Sequence, residues 1–276
     1  MSGLLDYHVH TSFSNDCLTQ MAAACEAAIS RGIREIAFAD HCDFGGFDPS
    51  LNTLQVPEYL AEIGRCQRAY GQRLTIRAGI EVGEGHCFPD EAAAVLSSAD
   101  FDYVLGSLHW LNNLPLWEGR YYADQPLDEG LEAYFAELAE LAASADFDVL
   151  AHFDIVLRAA YQTFGDTVLD YQPYEDRIRA ILRTLVERGK GLEVNTATLR
   201  RGMGQPNPPL QVLRWYRELG GEIVTLGSDA HTAASIGGRL ETAGALAQAA
   251  GFTRLACFEH RKPIFVEIAE GRLPAR

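Results

Sequence analysis

The chain reads as an α/β protein whose parallel strands close into a barrel of about seven strand–helix units. Three observations predict this. Short apolar runs alternate with helical segments of similar length along all 276 residues. Glycines stop several of the helices, and residues of metal-ligand type stand at the ends of six of the runs.

Residues 4–9 are strand-like, and 19–30 form an Ala-rich helix stopped at Arg31-Gly32. The second strand, 35–39, precedes a helix over 57–70 with Pro57 in its first turn and Gly71 at its end. The third, 74–80, precedes a helix over 89–98 whose Asp-Glu-rich start suits the positive end of the helix dipole. The fourth, 103–108, leads through a long loop to a helix over 127–143, and the fifth, 149–151, is followed by a helix over 174–188 closed by Gly189. The sixth and seventh, 191–195 and 223–226, have their helices at 210–219 and 240–250. A last apolar piece, 255–258, is expected to pair at the sheet edge. No Pro/Gly/Ser-rich linker or charge block divides the series, so one domain over 1–276 is expected.

Composition narrows the function. With 47% hydrophobic residues the chain can bury one barrel-sized core. A formal net charge of -15, with no basic run to offset it, disfavours nucleic acid and anionic membrane surfaces as partners. Six cysteines (Cys17, Cys25, Cys42, Cys66, Cys87, Cys257) lack Cys-x-x-Cys spacing, which indicates neither a zinc knuckle nor a disulfide framework. No apolar run approaches the roughly 20 residues of a membrane helix, and no basic segment precedes an apolar N-terminal core. A soluble cytoplasmic protein is expected, of undetermined oligomeric state.

Successive side chains of a strand point to opposite faces, so His8 and His10 in Asp6-Tyr7-His8-Val9-His10 project together and can hold one ion. Similar residues end the later runs: Asp40-His41, Glu81, His109, His152 and Ser228-Asp229-Ala230-His231. In a parallel barrel these strand ends line one mouth. The competing fold, a doubly wound open sheet, gathers its residues at one switch point instead. A single histidine is more often a hydrogen-bonded structural group, but six of eight at strand ends, beside Glu81 and Asp229, make a metal site the expectation. Asp16 joins them from the first loop. His86, in a Gly-flanked loop, and His260, beside Arg261-Lys262, do not.

Asp6 and Asp40, just ahead of ligand histidines, are expected either to orient imidazoles and bound water or to serve as plain strand-end turn acids. Imidazoles and carboxylates without thiolate suit Zn, Mn or Fe. Nine candidates (His8, His10, Asp16, His41, Glu81, His109, His152, Asp229, His231) are too many for one ion, and two or three divalent ions are expected. A bridging carboxylate can hold two cations about 3.5–4 Å apart.

These motifs, Asp-x-His-x-His, Ala-Asp-His, Ile-Glu-Val, Leu-His, Ala-His and Ser-Asp-Ala-His, resemble the polymerase and histidinol phosphatase (PHP) superfamily along nearly the whole chain. The resemblance implies a distorted (β/α)7 barrel with a metal cluster at the C-terminal ends of its strands. It further implies that His8, His10, Glu81 and Asp229 hold one ion, that Glu81 bridges to a second held by His109 and His152, and that Asp16, His41 and His231 hold a third. Several family members have a histidine where Asp16 stands; the departure still leaves an oxygen ligand. Segments 151–158, 192–201 and 258–263 resemble the stand-alone histidinol-phosphate phosphatases rather than polymerase-associated or nucleotidase members.

The resemblance thus implies a metal-dependent phosphomonoesterase that hydrolyses L-histidinol phosphate in histidine biosynthesis. The alternative is a related phosphoesterase acting on nucleotides or oligonucleotide ends; a non-catalytic or proofreading-accessory module is disfavoured because no polymerase-like extension is seen. Metal-bound water has its pKa lowered toward ~7, so a bound hydroxide is the expected nucleophile at phosphorus. Arg158 and Arg200, just past strands five and six, are candidate phosphate clamps, with Arg201 a substitute for Arg200 and Lys262 a weaker candidate. The leaving alkoxide takes its proton from a group near the metals, with Asp229, Asp40 and a ligand histidine such as His231 left open. Glu84, Trp110, Trp117 and Glu118 are available for the substrate's cationic imidazole and amine.

Overall fold

The computed structural model describes residues 4–44, 54–165 and 169–268. Seven parallel strands follow one another in sequence order around a nearly closed barrel: β1 (Leu4–Val9), β2 (Ile33–Phe38), β3 (Thr75–Gly83), β4 (Tyr103–Ser107), β5 (Val149–Leu150), β6 (Gly191–Asn195) and β7 (Val224–Gly227). A two-residue strand, His41–Cys42, also pairs with β3 and sets His41 opposite Glu81. The ring closes through a parallel bridge between Val9 and Ala230. The His10 N–H donates to Ala230 O (3.0 Å) and the Asp229 N–H to His8 O (2.7 Å).

The described helices are α1 (Met21–Ser30), α2 (Val56–Tyr70), α3 (Pro89–Ser97), α4 (Leu127–Ser144), α5 (Leu157–Phe164), α6 (Glu175–Glu187), α7 (Ala197–Arg200), α8 (Leu210–Glu218) and α9 (Leu240–Ala249); the short α5 and α7 stand at the barrel mouth and the others pack around the ring. Most of the longer helices bury a stripe at helical spacing, as Ile178, Ile181, Leu182 and Leu185 do in α6. Strands covered on both faces need near-continuous apolar runs, and β4 is buried at every position.

Three features differ from the sequence expectation. First, β3 runs on past Glu81, because Val82 and Gly83 find ladder partners in Gly106 and Ser107. A charged residue did not end the strand, since its side chain is compensated inside the barrel. Second, α5 stands between β5 and α6; its eight residues are too short for a clear periodic signal. Third, the last apolar piece does not pair at the barrel edge. It forms an antiparallel hairpin of its own, β8 (Arg254–Glu259) with β9 (Lys262–Glu267).

That hairpin caps the N-terminal end of the barrel. Its turn residues His260 and Arg261 donate their N–H groups to Asp102 just ahead of β4, and the Arg261 guanidinium spans Asp146 and Asp148 just ahead of β5. Behind the turn, Phe258 packs against Tyr7 and Tyr103, whose rings meet edge to face at 5.1 Å. Burying such a ring stabilises the fold by about 1.5–3 kcal/mol. One extra residue in β1 relative to β2 between Asp6 and Val9 makes a bulge, so that Tyr7 meets this aromatic layer while the adjacent His8 meets the carboxylates above it. No helix among the described residues is long and apolar enough to cross a membrane.

The buried Tyr7 hydroxyl donates to Glu35 Oε1 (2.5 Å) and accepts the Phe258 N–H (2.9 Å), tying the hairpin to the barrel floor. Tyr7→Phe leaves that N–H unpaired and is expected to cost about 1–3 kcal/mol, read as a lower urea midpoint with unchanged slope.

Candidate metal centre

Glu81 stands at the centre of the barrel mouth, fully buried. Its Oε2 lies 3.3 Å from His8 Nε2, 3.6 Å from His10 Nε2 and 2.8 Å from His41 Nδ1. Its Oε1 faces the other way, 3.2 Å from His109 Nε2 and 2.9 Å from His152 Nε2. Asp229 Oδ1 lies 3.5 Å from His10 Nε2 and 3.4 Å from His231 Nδ1, while Asp16 Oδ2 lies 3.0 Å from His231 Nε2 and 3.7 Å from His41 Nε2. The fold therefore brings all nine predicted ligands into one connected cluster.

The donor set fits cations. His8 Nε2, His10 Nε2, His41 Nδ1 and Glu81 Oε2 are buried with no hydrogen-bond partner, yet they face one another. An unsatisfied buried polar atom costs about 1–3 kcal/mol, and four converging on one space are what coordination would satisfy together.

Carboxylates and hydroxyls behind the cluster set the imidazole tautomers. His8 Nδ1 donates to Glu193 Oε1 (2.7 Å), His109 Nδ1 to Asp43 Oδ1 (3.0 Å) and His10 Nδ1 to Ser14 Oγ (3.1 Å), so each Nε2 carries a lone pair into the cluster. The Ser107 hydroxyl donates to Glu81 Oε1 (2.6 Å). Two glycines make room for these bonds. A Cβ on Gly227 would fall 1.9 Å from Glu193 Oε1, and one on Gly83 would fall 1.9 Å from Asp43 Oδ1. Sequence reasoning did not single out Glu193 or Asp43 as site residues. The signal was present: Asp43 follows His41 by two, and Glu193 and Asn195 are polar residues at i and i+2 inside an apolar strand.

His152 (φ 35°) and Asp229 (φ 51°) lie in the left-handed region that β-carbon-bearing residues seldom adopt. Their N–H bonds hold them there, His152 to Glu193 Oε2 (3.1 Å) and Asp229 to His8 O (2.7 Å). Burial alone would raise the Glu81 pKa, but His8, His109 and His41 drive it well below the usual carboxylate range. Burial lowers His8, yet Glu193 and Glu81 carry it well above the ordinary histidine value. His10, buried beside His231 and His41, falls well below. The carboxylates thus attract positive charge at His8, while burial and the neighbouring imidazoles keep His10 neutral.

Above the cluster opens a cavity of about 410 Å³, walled by Arg158, Arg201, Trp110, Trp117 and Glu118 besides the ligands at its mouth. Arg158 Nη2 donates to Asp229 Oδ2 (2.7 Å), and its buried Nε is unpartnered.

Several expectations need correction. Arg200 does not line the cavity: its guanidinium donates to Ser228 O, Asp229 O (3.1 Å) and Thr196 Oγ1 (3.2 Å), because the single turn of α7 aims it at the end of β7 and leaves Arg201 facing the cavity. Asp40 does not line the cavity either. Its oxygens accept from Thr11 N–H (2.6 Å), Thr11 Oγ1 (2.7 Å), Ser14 N–H (3.0 Å) and Ser14 Oγ (2.6 Å), so it acts on His10 only through Ser14 and has no oxygen free to protonate a leaving group. Asp6 accepts the N–H groups of Ser228 and Gly237 (2.8 Å each), a turn acid with no imidazole contact. Lys262 belongs to the hairpin at the opposite end of the barrel. Glu84 lies behind the wall, accepting the N–H of His109 and of Trp110.

The pattern of the PHP domain matches residues 6–197. Over 265 residues the chain is 31% identical to the histidinol-phosphatase of Lactococcus lactis subsp. lactis, covering 94% of this chain and 95% of that protein. Over 237 residues it is 32% identical to a probable histidinol-phosphatase of Clostridium acetobutylicum, covering 85% and 89%. The crystal structure of the Lactococcus lactis histidinol phosphate phosphatase, complexed with zinc, L-histidinol and phosphate, superposes with a TM-score of 0.82 at 26% identity, over 95% of this chain and 99% of that one.

Glu193→Gln removes the carboxylate that fixes the His8 tautomer. Metal affinity is expected to fall about 10–100-fold, measured by competition with a chromophoric chelator, while circular dichroism stays that of the parent.

Proposed function

The chain belongs to the PHP domain family, and from that premise we propose that it is a histidinol-phosphatase, hydrolysing L-histidinol phosphate to L-histidinol and phosphate as a step of histidine biosynthesis. The observation that carries this reading is the convergence of nine ligand-type side chains, linked through Glu81 and Asp229, beneath a cavity sized for a small phosphorylated molecule. The Lactococcus relative, with zinc and both products of that reaction in its crystal structure, supports the same choice. Six free cysteines suit a reducing cytoplasm.

We assign His8, His10, Glu81 and Asp229 to one ion, Glu81, His109 and His152 to a second, and Asp16, His41 and His231 to a third, with zinc the first candidate. When bound, the cations supply activated water near neutral pH and neutralise charge on the phosphoryl oxygens. The residues around them orient the substrate. Arg158, anchored on Asp229, keeps an unpartnered Nε, and Arg201 adds a second guanidinium at the rim, so both can grip phosphate oxygens. Trp117 stands edge-on to His109 and to Trp110, and with Glu118 forms an aromatic and acidic wall suited to a cationic imidazole. Of the groups considered for protonating the leaving alkoxide, Asp229 and His231 line the cavity.

Metal-loaded protein is expected to release phosphate from L-histidinol phosphate in clear preference to nucleoside monophosphates and an aryl phosphate; a nucleotide preference would overturn the substrate assignment. Arg158→Ala removes charged hydrogen bonds of about 1.5–3 kcal/mol, a loss in kcat/KM of roughly 10–150-fold. In Glu81→Gln, bound metal and activity should disappear together, with elemental analysis as the readout; a full metal complement would contradict the bridging role.

A further inference from the structure

The loop that follows β3 passes behind the cavity wall at Glu84 and then brings His86 and Cys87 against α4. His86 Nε2 lies 2.8 Å from Glu137 Oε1 and 3.3 Å from Cys87 Sγ, and Cys87 Sγ lies 3.6 Å from Glu137 Oε1. An imidazole nitrogen, a sulfur and a carboxylate oxygen thus close a triangle whose members all lie outside the nine-ligand cluster. The His86 ring is 5% exposed, which holds its Nε2 in place, whereas Cys87 is the one exposed cysteine of the six.

From these converging donors we propose that His86, Cys87 and Glu137 form a separate zinc-type site, holding one borderline divalent ion through three protein ligands with solvent water as the fourth. Tetrahedral bonds of about 2.0–2.3 Å place donor atoms about 3.3–3.6 Å apart. The two sulfur distances already match. The His86–Glu137 pair, at hydrogen-bond length, opens by about 0.5 Å to admit the ion.

At neutral pH an exposed cysteine carries its thiol proton until a cation replaces it. Binding then forms a metal–sulfur bond and releases that proton to solvent. Mixed sulfur, imidazole and carboxylate donors favour zinc or cobalt over magnesium or calcium. The ion would staple the β3 loop to α4. Because Glu84 of the same loop accepts the N–H groups of His109 and Trp110, the staple stiffens the wall of a cavity that it does not line.

The test is Co²⁺ added to enzyme that keeps zinc in its catalytic sites after a weak chelator has emptied the three-ligand, solvent-open site of any zinc. None of the nine catalytic ligands carries sulfur, so a thiolate-to-cobalt charge-transfer band in the near ultraviolet reports this site alone. The band is expected to saturate at one equivalent, to vanish in Cys87→Ser, and to need about tenfold or more Co²⁺ in Glu137→Gln, with phosphate release unchanged in both variants. Absence of the band, or its survival in Cys87→Ser, overturns the proposal. Should Cys87→Ser fold poorly, labelling of Cys87 in the parent enzyme decides: one equivalent of added zinc should block a thiol reagent, and undiminished labelling overturns the site.

Discussion

A carboxylate buried among five imidazoles is the constraint around which this molecule is arranged. Glu81 is shut off from bulk solvent, and an uncompensated charge inside a protein costs several kcal/mol. The surroundings answer that cost from every side: His8, His10 and His41 face one oxygen, and His109, His152 and the Ser107 hydroxyl face the other. These residues arrive from β1 (His8, His10), the short strand after β2 (His41), the end of β4 (Ser107, His109) and the end of β5 (His152). The cluster therefore exists only when the ring of strands is complete.

The two ends of the barrel serve this arrangement differently. At the floor, the hairpin, Phe258 and the Tyr7–Tyr103 pair make an aromatic plug bound by Arg261 to the residues just ahead of β4 and β5. The segment 258–263, whose resemblance pointed to a substrate, is part of that plug and distant from the cavity. At the mouth, β1 and β7 meet through backbone bonds of His8, His10 and Asp229 themselves. Ring closure and ligand placement are one event there, which explains why Asp229 tolerates a left-handed backbone.

Most of the cluster was legible because strand parity and strand-end position are local properties. His8 and His10 share a face by spacing alone, and Asp229 and His231 share the loop after β7. The residues behind them were less legible. Glu193 lies 185 positions from His8, and Asp43 lies 66 from His109, so neither contact leaves a local trace. Arg200 and Arg201 show the same limit: they are adjacent in sequence, but the pitch of one helical turn sends one to backbone carbonyls and the other to the cavity. Asp40 was misread for a related reason, since four donors from the first loop claim its oxygens.

The amino-acid order by itself determined the strand–helix alternation, the barrel class and eight of the nine ligand-type residues, because each follows from periodicity or from a chemical type at a strand end; Asp16 came from the first loop. Only the tertiary structure decided how those residues divide around Glu81, which imidazole nitrogen each presents, and which arginine reaches the cavity. Those outcomes depend on the register between strands far apart in sequence and on where a glycine leaves room for a carboxylate, distances that no local pattern encodes.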